Sequence, residues 1–120
     1  MAKRIVVAGS RHFNDYDTLE KYISEFISRK IDEEPIIFVS GGCRGADSLG
    51  EHYAKLHGYQ AEVYPAEWSK YGKAAGVKRN KLMVDISDFI ICFWNGSSKG
   101  TKSLIEYAGK VGKAVYIKYI

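Results

Sequence analysis

Two hydrophobic rhythms alternate along this chain. Short, nearly unbroken apolar runs at residues 3–8, 35–39 and 89–94 have the length and β-branched or aromatic character of buried strands, and each stops at a turn bearing glycine or asparagine. Two further runs, 60–64 and 114–120, carry Glu62 and Lys118 inside them, the mark of strands at an edge. Between the runs the apolar spacing lengthens to three and four. Leu19, Tyr22, Ile23, Phe26 and Ile27 predict a first helix opening at a capping-box pair, Asp17 and Glu20. Ala46, Leu49, Tyr53 and Leu56 predict a second, with Gly50 permitting close packing and Gly58 placed to end it. Leu82, Met83 and Ile86 form the stripe of a third from about Ala75. Leu104, Ile105, Ala108 and Val111 form that of a fourth, with Lys102, Glu106 and Lys110 outside and Gly112 as its stop.

Strand and helix alternating to a final strand predict one parallel sheet with right-handed crossovers. The interrupted runs are its edges and the uniformly apolar ones its interior. The expected architecture is therefore a single Rossmann-like, three-layer α/β domain over residues 1–120, with five parallel strands in the order 3-2-1-4-5. At 120 residues there is room for one core and no need of staples. No repeat, linker or membrane-length apolar stretch interrupts it. With two cysteines, Cys43 and Cys92, far apart and no signal-like segment before the first strand, a cytoplasmic location is expected.

In such a sheet, ligands bind outside the carboxyl ends of the strands where the order reverses, between strands 1 and 4. Three turns open there. They contribute Gly9, Ser10 and Arg11; Gly41, Gly42, Arg44 and Gly45; and Gly96, Ser98, Gly100 and Thr101. Glycines let successive N–H groups converge, helix N-termini add positive potential, and the two arginines offer charge-assisted hydrogen bonds, a set suited to phosphate. The plainer reading is that the glycines only supply turns and the arginines face solvent. Arg79 lies on the apolar face of the third helix, where a guanidinium needs a partner: a structural carboxylate, or a ligand in the cleft. Asn80 beside it could hydrogen-bond a base, a sugar or a loop carbonyl. Asp47, in the first turn of the second helix, caps backbone donors or, within a site, suits ribose hydroxyls.

Trp68 and Tyr71, in a loop over the sheet, either stack on a planar base or pack. Cys43 beside Arg44 has the surroundings of a reactive thiol, yet no histidine accompanies it. His12, His52 and His57 are too scattered for a metal site, so no metal is expected. The net charge of +4 favours an anionic partner, and without a dense basic run it suits a small anion as well as a nucleic acid.

Three segments in order, Ser40-Gly41-Gly42-Cys43-Arg44-Gly45-Ala46-Asp47, Ala75-Gly76-Val77-Lys78-Arg79-Asn80-Lys81-Leu82-Met83 and Gly96-Ser97-Ser98-Lys99-Gly100-Thr101, resemble the small YspA-related branch of the SLOG superfamily. That Rossmann-like group also holds the lonely-guy phosphoribohydrolases and the DNA-processing Smf proteins. The resemblance implies a nucleotide-derivative-binding domain, often a homodimer, that senses or processes its ligand. Arg79 is similar to the phosphoribohydrolases' arginine and is the best catalytic candidate, ahead of Asp47. Their motif Gly-Gly-x-Gly-Thr-x-x-Glu, however, would place its glutamate where Leu104 stands. Glu106 is two positions on, about 200° around a helix. The expectation is binding of a small anionic nucleotide-type ligand with no other cofactor required. Cleavage of a nucleoside monophosphate's N-glycosidic bond and single-stranded nucleic-acid binding are the alternatives.

Overall fold

The computed structural model describes residues 2–32 and 34–120. Five parallel strands form one sheet in the order β3-β2-β1-β4-β5: β1 (Lys3–Gly9), β2 (Ile36–Ser40), β3 (Gln60–Val63), β4 (Phe89–Trp94) and β5 (Ala114–Tyr119). Helices α1 (Tyr16–Lys30), α2 (Ala46–Leu56), α4 (Ala75–Ile86) and α5 (Lys99–Lys110) follow β1 to β4. A short α3 (Trp68–Tyr71) and a 3₁₀ turn (Gly72–Ala74) precede α4. The expected fold class, strand order and edge strands are those observed.

The period of two along each inner strand divides the core between the two sheet faces. Ile5, Val7, Phe38, Ile91 and Phe93 meet Leu19, Ile23 and Phe26 of α1 and Tyr53 of α2. Val6, Ala8, Val39, Ile90 and Cys92 meet Met83 and Val84 of α4 and Leu104 and Ala108 of α5. Both faces of β1 and β4 are covered, which is why β4 and residues 5–8 of β1 are apolar at every position. At the edge, Glu62 of β3 is half-buried and paired with Arg4 of β1, Nε to Oε1 at 3.2 Å.

Several local expectations are corrected. The first helix is capped by Asp15, whose carboxylate accepts the Thr18 N–H at 3.2 Å. Asp17 lies inside the first turn, and Glu20 faces Tyr16 Oη and His57 Nε2. Leu56, Leu82 and Val111, expected inside, are exposed. Ala54 and Val84 are buried instead, so α2 and α4 are each rotated from the predicted stripe. The segment 65–72, expected as loop, contains α3. Gly50 behaves as expected: a Cβ there would stand 2.7 Å from Cβ of Val7, so α2 lies directly on β1. No helix among the described residues is long and apolar enough to cross a membrane.

Candidate functional site

A cleft of about 400 Å³ opens beyond the carboxyl ends of β1 and β4, where the strand order reverses. Its floor is the end of β1. There Ser10 donates its N–H to Phe93 O at 3.0 Å, and its carbonyl accepts from the N–H groups of Phe13 and Ala46, each at 3.3 Å. These bonds fix the Ser10 backbone, and its Oγ is buried with no hydrogen-bond partner among the described residues. Arg11 and His12, both exposed, continue from it at the mouth.

The facing wall is the start of α5. Asn95 Oδ1 accepts the N–H groups of Ser97 and Ser98, both at 2.9 Å, and so folds the chain around Gly96 (φ +86°) into the helix. Ser98 makes no side-chain cap. Lys102 to Ser98 O is the first backbone bond of the helix, so the N–H groups of Lys99, Gly100 and Thr101 have no backbone partner among the described residues. Gly100 and Thr101 line the cleft with two of these free donors, Ser98 lies beside them, and the helix dipole adds positive potential.

The third wall comes from α2 and α4. Asp47 is 6% exposed, and burial pushes its carboxyl up to about 6. Backbone N–H groups of Cys43 and Gly41 and the Arg79 charge act in the opposite direction. Arg79 is held through its ends: Nε donates to Asn80 Oδ1 at 2.8 Å and Nη1 to the carbonyls of Gly41 and Tyr64. Its Nη2 has one weak contact, Cys43 Sγ at 3.8 Å, and so keeps donor capacity for the cleft. Leu104 and Met83 supply apolar lining.

Of the residues singled out in the sequence, Gly9, Ser10, Arg11, Asp47, Arg79, Asn80, Ser98, Gly100 and Thr101 lie together around this cleft. Gly41, Gly42, Arg44, Gly45 and Gly96 do not line it. The Gly41–Gly45 turn spends its groups inside the protein. A Cβ on Gly41 would stand 2.8 Å from both Arg79 Nη1 and Asp47 Oδ2, so this glycine makes room for those two side chains. Gly42 (φ +76°) gives its N–H to Ser40 Oγ at 3.0 Å. Gly45 (φ +82°) lies against the Ser10 carbonyl, where a Cβ would come within 2.3 Å. Arg44 is exposed and is not among the residues that line the cleft.

Sequence reasoning missed Asn95 and Ser97, although an asparagine at a strand end followed by Gly-Ser-Ser is the pattern of such a turn. Cys43, weighed for reactivity, contributes to the lining, whereas Cys92 is buried in the core and its thiol is pushed up to about 12. Among the described residues no group of three or more histidine, cysteine or acidic side chains could hold a metal ion.

The chain is 32% identical over 116 residues to the gene 61 protein of Mycobacterium phage D29, an alignment spanning 92% of this chain and 91% of that relative. No solved structure matches it. Residues 3–71, from β1 through α3, match the model of the family described as YspA, cpYpsA-related SLOG. That model covers more than half of the chain and the phage relative aligns with most of it, so the chain belongs to the YspA and cpYpsA-related SLOG family.

Proposed function

We propose that the cleft binds a nucleotide-type ligand. Its phosphate lies between the free N–H groups of α5 and Ser10 Oγ, with Arg11 at the mouth, and its sugar hydroxyls face Asp47 and Asn80. The observation that carries this reading is the pairing of an uncapped helix N-terminus with a buried, unpartnered hydroxyl on the opposite wall. A buried polar group without a partner costs stability, and an anion accepting from it and from the helix removes that cost. An ionised Asp47 accepts from hydroxyls but repels phosphate, which separates the two halves of the ligand along the cleft. Family membership points the same way, toward a nucleotide-related role.

The test is thermal denaturation against nucleoside mono-, di- and triphosphates, ADP-ribose and cyclic nucleotides. A true ligand at a hundred times its Kd raises Tm by about 10 °C in a chain of this size. Ser10→Ala, which removes no bond inside the protein, keeps the unliganded Tm and loses most of the ligand shift. If no compound raises Tm, the reading fails.

The ligand is held and not cleaved at its N-glycosidic bond, because apolar Leu104 forms the wall where the phosphoribohydrolases it resembles carry a glutamate. Incubation with the common nucleoside monophosphates, followed by chromatography, is expected to release no free base. Release that Asp47→Asn abolishes would reverse this and make Asp47 the acid-base group.

A further inference from the structure

A second groove, about 460 Å³, runs behind the first between the end of β3 and the α3–α4 segment. Tyr64, Pro65, Tyr71 and Leu82 give it apolar and aromatic walls, and Lys78 and Glu67 stand among them. Arg79 borders both cavities. Arg79 is thus shared between the two cavities, and its Nη2 is the nitrogen without a strong internal acceptor.

The segment forming this groove has an unusual charge pattern. Between Glu67 and Asp85 it contains Lys70, Lys73, Lys78, Arg79 and Lys81 with no acidic residue among them. Two of them, Lys70 and Lys78, hold their ammonium groups 5.1 and 4.8 Å from the ring centroid of Tyr71, which is 38% exposed. An exposed aromatic ring flanked by lysines, beside an apolar slot, is the chemistry that takes a planar base attached to a phosphate.

We infer that the second groove is a base subsite, so that the full ligand is a phosphodiester-linked nucleotide with two bases. One nucleotide lies in the first cleft, the bridging phosphate passes over Arg79 Nη2, and the second base lies against Tyr71 and Leu82 with Lys78 near the phosphate. Such a ligand is either a free dinucleotide or the end of a longer single strand, and both present the same two nucleotides. The inference rests on the reading of the first cleft as a nucleotide site.

Calorimetry on the full chain distinguishes the two. The probes are the four nucleoside 5′-monophosphates, the matching 5′-phosphorylated linear dinucleotides pApA, pGpG, pCpC and pUpU, and eight-nucleotide strands of the same bases. At least one dinucleotide is expected to bind tenfold or more tighter than its monophosphate. Tyr71→Ala removes that gain and leaves the monophosphate affinity unchanged, while Lys78→Ala, an exposed substitution, lowers the gain and its salt dependence. An octanucleotide no tighter than the dinucleotide identifies a free dinucleotide as the ligand class; one much tighter identifies a strand end. If monophosphates bind and no dinucleotide exceeds them twofold, or if Tyr71→Ala weakens both alike, the second subsite is refuted and the first stands. If neither class binds, both are refuted.

Discussion

Asp47 keeps a carboxylate in the interior at a cost. Its proton is held more tightly in the folded chain, near pH 6, than the usual 3.8. The folded state therefore gains stability as pH falls from about 6 toward 4, and the penalty is full above that window, about 3 kcal/mol as an upper bound. Asp47→Asn is expected to raise Tm at pH 7.5 and to lose most of that advantage by pH 4.5. A gap that does not change with pH would show that the ionised carboxylate is not the destabilising group. The sequence makes Asp47 legible as a first-turn acid but not as a buried one, because what covers it comes from α4 and the turn at Gly41. Gly45 illustrates the same limit. A glycine before a helix reads as a flexible turn, whereas its partner, the Ser10 carbonyl, belongs to a different strand end.

Helix α2 lies on β1 through Gly50, with no space for a methyl group at that point. Gly50→Ala forces the helix off Val7 and is expected to cost about 1–3 kcal/mol in urea denaturation, despite alanine's better helix propensity. An unchanged or raised midpoint would mean that the helix shifts freely over the sheet. The helices were legible as elements, and their rotations were less so. Leu56, Leu82 and Val111 continue their apolar stripes in sequence, but all three emerge into solvent. Leu56 and Val111 stand at or just beyond the ends of their helices, and Leu82 lies on the groove side of α4. Periodicity marks a face without saying how far along the helix the sheet extends. The start of α5 depends similarly on Asn95. Asn95→Ala removes the single carbonyl, Oδ1, that accepts both N–H groups and turns the chain, and it is expected to lower Tm and to weaken ligand binding.

Across the whole molecule, protection is expected to follow the layering. Amide exchange should be slowest in β1 and β4, sealed on both faces, and fastest in the edge strands β3 and β5, most of whose residues are exposed or half-exposed. Equal protection in all five strands would contradict the division. The strand order was legible because the same asymmetry is written as continuous against interrupted apolar runs. The convergence of the site residues followed from that order and the switch-point rule, whereas the groove behind Arg79 depends on α3, a four-residue helix with too few turns to display a period. Arg79 itself bridges the carbonyls that end β2 and leave β3, so it serves the architecture whether or not anything is bound. Ser10 Oγ has no hydrogen-bond partner among the described residues. If the cleft binds the proposed ligand, relatives that lose it are expected to keep the arginine as masonry while the serine drifts, so that the serine records use of the cleft.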